Sequence, residues 1–373
     1  MRHPILKEAR RVVLKVGSRL VASKGMGLHI DWIERLAAQL AHLKTNGREI
    51  IVVSSGAIVC GIEKLGLRDY PKSLPMKQAA AAVGQSRLMW AYEKAFEKER
   101  LTVAQILLTR EDLTNRPRFL NSRHTLAALL DFGVVPIINE NDTVAVEEIR
   151  FGDNDSLAGM VAHLVDADLL VILSDVAGLY TEDPRTNPKA TLISVVAEVS
   201  PEVERLAGGA ATFEGTGGMR TKVMAAKTAG SYGVATVIVG GEHPEQLSAL
   251  FEGEDLGTLF LAQEQQRTSR KHWIAHTVKA KGQLVLDDGA VEALMRRGKS
   301  LLPSGIIAVR GTFEAGDSVA CVDQADREIA KGLVNYSSQA ITRIMGQKST
   351  DIQKTLGYKD YDEVIHRDNL VIM

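Results

Sequence analysis

Over its first 260 residues the chain alternates between short apolar, β-branched runs and longer stretches with helical spacing. The runs RVVLKV (11–16), REIIVV (48–53), VAQILL (103–108), VVPIIN (134–139), DLLVIL (168–173) and VATVIV (234–239) are strand-sized, and most lack strict polar alternation. A strand covered on both faces has that pattern. Residues 31–46 set Ile33, Leu36, Ala37, Leu40 and Leu43 on one helical face and stop at Gly47. Residues 117–132 open with Pro117 in the first turn and stop before Gly133, and the Ala- and Lys-rich residues 218–232 stop at Gly233. Proline near a helix start and glycine just past its end are the expected boundary residues. The alternation predicts an α/β fold, a three-layer α/β/α sandwich around a mostly parallel sheet.

The pattern changes near residue 262. The segment AQEQQRTSRKHW is polar, Gln-rich and basic, and reads as a linker over 263–276 between a first domain (1–262) and a second (277–373). Beyond it the runs are short and turn-rich (GQLVLDDGA, GIIAVRGTFEAGDSVACV, KGLVNYSS), which predicts a small β-rich domain. The full chain has 373 residues, 45% hydrophobic and 24% charged, too apolar for disorder and long enough to bury a core without staples. A net charge of −1 excludes a generally basic surface for nucleic acid. Residues 276–373 balance 13 Lys+Arg against 13 Asp+Glu, which argues against RNA binding there. Two cysteines, no zinc spacing, no signal-like start in MRHPILKEARR and no apolar run approaching the roughly 20 residues that span a bilayer point to a cytoplasmic protein with no membrane association.

In a parallel α/β sheet ligands bind beyond the carboxyl ends of the strands, so the chemistry is sought directly after each run. Lys15–Ser18 (KVGS) can offer an ammonium and backbone N–H groups to phosphate, although a surface lysine before a turn fits the spacing as well. Ser54–Ala57 (SSGA) suits a carboxylate or phosphate, or is simply a small-residue turn. NEND (139–142) and FGDND (151–155) are dense in Asp and Asn and suit Mg²⁺ or an ammonium-bearing ligand, while Asp155 could also cap the helix that follows. SDVAGLYTEDP (174–184) precedes GTGGMRTK (215–222), a glycine-rich loop that runs into a helix. Lys222 falls in that helix's first turn, where the macrodipole disfavours a cation unless a polyphosphate neutralises it. GKS at 298–300 lacks the leading glycine of a phosphate loop, because residue 293 is Ala293, and GTGGMR has Arg220 where a dinucleotide motif needs its third glycine. The residues alone therefore predict an α/β enzyme suited to phosphoryl transfer and leave its substrate open.

Taken in order, K-x-G-S (15–18), SSGA (54–57), AAVGQSRL (81–88), INEND (138–142), GDND (152–155), LSDVAGLYTEDPR (173–185) and GTGGMRTK (215–222) resemble the amino acid kinase superfamily. Within it the likeness is to members that phosphorylate glutamate. LLPSGI (301–306) and RGTFEAGDSV (310–319) resemble the PUA domain that many of these append. The resemblance covers essentially the whole chain. It implies the amino acid kinase fold and transfer from ATP, with Mg²⁺, to the side-chain carboxylate of L-glutamate, giving L-glutamyl 5-phosphate, the first step of proline biosynthesis.

By the same likeness Lys15, Lys222 and Asp155 are catalytic, with Asp153 beside the substrate. Ser55, Asp142 and Asn154 hold glutamate. Lys15, Ser174, Asp175, Thr216, Gly217, Gly218, Met219, Arg220, Thr221 and Lys222 hold the nucleotide. No residue is assigned to the metal. L-proline as feedback inhibitor and a homo-oligomer, dimer or tetramer, are implied too. The chain departs from the family at Arg19, where Ser or Thr is common, and that residue receives no role. The competing readings are a superfamily kinase for aspartate, N-acetylglutamate, UMP or carbamate, against which the GDND and NEND segments and the appended domain weigh, and an RNA-modification factor.

Overall fold

A computed structural model describes residues 2–23, 25, 27–145, 154–208, 218–263, 280–359 and 361–372. The chain divides into two compact units, Met1–Gln263 and Glu264–Met373. Apart from Gln263, the linker expected over 263–276 lies outside the described residues.

In chain order the strands of the first unit are β1 (Arg11–Val16), β2 (Ala22–Ser23), β3 (Gly27–Leu28), β4 (Glu49–Val53), β5 (Val103–Leu108), β6 (Val135–Glu140), β7 (Leu169–Ser174), β8 (Val195–Val196), β9 (Ala235–Gly240) and β10 (Thr258–Phe260). The helices are α1 (Arg2–Glu8), α2 (Ser18–Val21), α3 (Ile30–Thr45), α4 (Ala57–Lys64), α5 (Leu74–Lys98), α6 (Arg110–Thr114), α7 (Arg116–Asp131), α8 (Asn154–Leu164), α9 (Pro201–Ala207), α10 (Met219–Ser231) and α11 (Gln246–Glu252). β2 and β3 make a small antiparallel ribbon, and the other eight form one sheet in the order β5-β6-β4-β1-β7-β9-β10-β8. From β5 to β9 every pairing is parallel; β10 runs antiparallel to β9. All six strands read from the sequence are present within a residue of their expected ends.

Both faces of this sheet are buried, which is why its strands show no polar alternation. Val12, Leu14 and Val16 of β1 face one core with Ile33, Leu36 and Leu40 of α3 and Tyr92 and Phe96 of α5. Val13 points the other way, into a second core with Leu126 of α7, Val161 of α8 and Val223 of α10. The two cores and the sheet between them make the expected three layers. The glycines after α3, α7 and α10 end them in the left-handed region, with φ of 82°, 73° and 79° at Gly47, Gly133 and Gly233.

Helix α5 was not among the expected helices. Its inward face is Ala80, Ala81, Gly84, Leu88, Ala91, Tyr92 and Ala95, so small residues blur the apolar contrast that marks an amphipathic helix. They are small because α4 lies against them. A Cβ on Gly84 would stand 1.8 Å from the Ala57 carbonyl oxygen, and one on Gly61 would stand 1.7 Å from that of Ala80.

The second unit has its own sheet, with β11 (Gly282–Leu286), β12 (Ile306–Gly311), β13 (Ser318–Val322), β14 (Glu328–Leu333) and β15 (Leu370–Ile372) in the order β12-β11-β13-β14-β15. Leu284, Leu286, Val319, Cys321, Ile341 and Ile365 build its separate core. Among the described residues no helix is long and apolar enough to cross a membrane.

The α4–α5 contact yields a direct test. Gly84→Ala forces backbone against backbone, and a loss of at least about 2 kcal/mol is expected from such overpacking. Thermal unfolding should show a clearly lowered first transition; a curve superimposable on that of the unaltered chain contradicts the contact.

Candidate active site

The strand order reverses at β1. The chain first adds β4, β6 and β5 to one side of it, then β7 and β9 to the other. A crevice beyond the carboxyl ends of the strands forms at such a point. Here it is a cleft of about 450 Å³ lined by the segments after β1, β4 and β7 and by the start of α10.

Lys15 is the penultimate residue of β1 and shares Val13's face, so its ammonium is directed toward the layer that contains α8 and α10. There it pairs with Asp155 Oδ1. Lys222, one turn into α10, approaches Asp155 Oδ2 at 3.2 Å, and the Thr221 hydroxyl donates to the same oxygen at 2.7 Å. The Gly218 carbonyl, 2.8 Å from the same hydroxyl, competes for its single hydrogen. All three charged groups are buried, Asp155 completely. Burial alone would push the Asp155 carboxyl up, but Lys15 and Lys222 outweigh it and hold the pKa below the usual carboxylate value. The helix containing Asp155 begins at Asn154, so Asp155 is a first-turn residue rather than the cap. Its carboxylate serves the two lysines.

On the β4 side, Asn154 Nδ2 stands 2.6 Å from the Ser54 carbonyl, 2.7 Å from Asn139 Oδ1 and 3.0 Å from Ser55 Oγ. Its two N–H hydrogens are shared among these acceptors. Asn139 in turn receives the Glu140 backbone N–H at 2.9 Å and donates to Gln85 at 2.8 Å. Ser55 and Asn154 line the cleft. Ser54 does not: it is fully buried and its hydroxyl bonds Tyr92 at 2.9 Å. Asp142 lies in the turn after β6 and is not among the lining residues.

On the β7 side, Ser174 and Asp175 line the cleft together with Gly218, Met219 and Arg220. Arg19 Nη1 donates to Asp175 Oδ2 at 2.8 Å. Burial pushes the Asp175 carboxyl up, and the Arg19 hydrogen bond and the Lys222 charge more than reverse this. Tyr180, Asp183 and Arg185 complete the rim, with Asp183 accepting from Arg185 Nε and Nη2 at 3.0 and 2.8 Å.

Most residues singled out from the sequence thus gather at one cleft, although Lys15, Ser55, Asn154, Asp175 and Lys222 come from five separate segments. Asp153, Thr216 and Gly217 lie outside the described residues. Three contributors were not assigned. Asn139 and Gln85 sit inside quoted motifs, where a polar residue at a buried strand end or on a helix's inner face was the available signal. Tyr92 has the helical spacing of a core residue and offers none.

Two ammonium groups concentrated where the strand order of a parallel sheet reverses match the charge of a migrating phosphoryl group, and this places the chain among α/β phosphotransferases. Residues 10–241 match the model of the amino acid kinase family, and residues 282–356 match that of the PUA domain. The chain belongs to the amino acid kinase family and carries a PUA domain behind its kinase unit. It is 52% identical to a glutamate 5-kinase of Geobacter sulfurreducens over 373 residues, 100% of both chains. It is 52% identical to one of Moorella thermoacetica over 368 residues, 99% of this chain and 97% of that protein. It is 53% identical to one of Geobacter metallireducens, again over 100% of both.

Asp155→Asn removes a fully buried carboxylate that pairs with two buried ammonium groups, a change worth about 3 kcal/mol or more. A carboxyl held low in the folded state contributes stability above its unfolded pKa, near 4, and loses it as pH falls through the folded value. The stability gap between the two proteins, read by urea unfolding, should be constant from pH 7 to about 5 and close below about 4. A gap that persists unchanged at pH 3 contradicts the charge assignment.

Proposed function

We propose that the chain transfers the γ-phosphoryl group of ATP to the side-chain carboxylate of L-glutamate, giving L-glutamyl 5-phosphate and ADP, the first step toward proline. The observation that carries this is the convergence of Lys15 and Lys222 on Asp155 at a cleft lined by Ser55 and Asn154 and by Ser174, Asp175 and Gly218. Relatives half identical over the full length are glutamate 5-kinases, which names the acceptor.

The acceptor is a carboxylate already ionised at neutral pH, so the reaction needs no general base. Catalysis rests on alignment and charge neutralisation. Lys15 and Lys222 face the phosphoryl group from the β1 end and from α10. One such lysine at 4 Å contributes at most about 4 kcal/mol at an effective dielectric of 20. Asp155 holds both ammonium groups in place. Ser55, whose oxygen already accepts from Asn154, has its own hydrogen to donate to a substrate carboxylate. Asp142 pairs with the substrate ammonium, and Asn154 orients the glutamate side. Ser174, Asp175 and the loop from Thr216 to Lys222 receive the nucleotide.

No group of three or more His, Cys, Asp or Glu among the described residues could hold a metal ion, and both Asp155 oxygens are engaged by lysines. The nucleotide would bring Mg²⁺ with it. When bound it neutralises phosphate charge. To the same reading belong a cytoplasmic location, a dimer or tetramer of this chain, and feedback inhibition by L-proline at or near the glutamate pocket. RNA is not a partner in it.

A hydroxamate assay, which traps only acyl phosphates, should give product with L-glutamate and ATP and little with aspartate or N-acetylglutamate. Absence of ADP with glutamate and ATP overturns the reading. Lys222→Ala should lower turnover by roughly 10²–10³, as loss of other transition-state donors does; a rate near that of the unaltered enzyme refutes its role. Asp142→Ala should raise the Michaelis constant for glutamate more than that for ATP, and the reverse pattern removes Asp142 from the acceptor side.

A further inference from the structure

Arg19, the residue at which the first phosphate-facing segment departs from the family pattern, occupies the single turn α2 directly after β1. It lines the cleft with Lys15 and Lys222. Its partner Asp175 follows β7, the strand next to β1, so the ion pair spans two adjacent strand exits. That puts the guanidinium on the β7 side of the cleft, whose lining also includes Gly218, Met219 and Arg220. The Asp175 carboxylate senses both Arg19 and Lys222, so the two cations share one neighbourhood.

The pair has little to do with folding: the Arg19 and Asp175 side chains remain 60% and 45% exposed, and pairs this open to water stabilise a fold only weakly. Yet among the described residues the cleft lining has five cations, Lys15, Arg19, Arg185, Arg220 and Lys222, against the three anions Asp175, Glu182 and Asp183, with Asp155 paired to the two lysines behind it. An excess of positive charge around a cavity suits a polyanion. A guanidinium has five N–H donors in a planar fork, enough to hold a carboxylate on one edge and phosphate oxygens on another.

We propose that Arg19 is a nucleotide-phosphate contact: its guanidinium, oriented by Asp175, binds the terminal phosphates of ATP alongside Lys222. This rests on the reading that ATP is the phosphoryl donor, and it adds a cation that the family pattern of Ser or Thr does not supply. The chemistry recognised is the β- and γ-phosphate pair; the nucleoside plays no part in it.

The test reads nucleotide binding directly, on the full chain without glutamate, by fluorescence titration with mant-ATP and mant-AMP in the presence of Mg²⁺. Arg19→Ala should weaken mant-ATP about tenfold or more, the value of one charge-assisted hydrogen bond, and leave mant-AMP within twofold. Arg19→Lys should recover part of the loss. In steady state the Michaelis constant for ATP should rise with that for glutamate unchanged, and the melting temperature should not move. Equal weakening of mant-ATP and mant-AMP, an effect confined to glutamate, mant-ATP binding within twofold of the unaltered chain, or an unaltered chain that ignores mant-ATP would each overturn the proposal. A chain that shows the predicted mant-ATP loss but forms no ADP with glutamate supports the contact while removing glutamate as acceptor, so the two readings fail separately.

Discussion

One carboxylate organises the kinase unit's site. Asp155 is completely buried and holds Lys15 from the central strand and Lys222 from α10, with Thr221 reinforcing one oxygen. Bringing three charges out of water is costly unless they neutralise one another and their hydrogen-bonding capacity is met. Here each of the two lysines approaches one of the two Asp155 oxygens. Charges fixed in this way need little reorganisation to meet an anion, which is the role proposed for the two lysines.

Topology decides what stands on each side of that point. Because the chain builds outward from β1 first in one direction and then in the other, the loops after β4 and β6 lie on one flank and those after β7 and β9 on the other. The first flank presents hydroxyls and side-chain amides tied together through Asn154, Asn139 and Gln85. The second presents Ser174, Asp175 and the glycine-rich start of α10. In the proposed reaction donor and acceptor take separate flanks with the lysines between them, the arrangement an in-line displacement requires. The α4–α5 pair supports the acceptor flank from beneath, since Tyr92 of α5 anchors Ser54 immediately before Ser55 and α4.

The legible parts of this chain were those in which one local pattern had one physical meaning. Unalternating β-branched runs between glycine-terminated helices could only be strands buried on both faces, and β1, β4, β5, β6, β7 and β9 follow them within a residue. The illegible parts carried weak or double meanings. Helix α5 hid behind an inner face of alanines and Gly84, chosen for close approach rather than for hydrophobic contrast. The three-residue strand β10 and two-residue β8 are too short for any periodicity to register. Asp155 could be read as a helix cap as well as a site residue, the second being the favoured reading.

By itself the sequence determined the layers, the division into a kinase unit and a β-rich unit, and the set of polar segments placed at strand exits, because each of these depends on patterns a few residues long. Only the tertiary structure decided which of those segments meet. That Lys15, Asp155 and Lys222, spread over some two hundred positions, share one buried point, that Arg19 reaches Asp175, and that Ser54 turns inward to Tyr92 while Ser55 faces the cleft all follow from strand order and the alternation of faces. Charge pairing acts through space, over a few ångströms, and no local run of residues encodes a distance between strands that the chain joins only after folding.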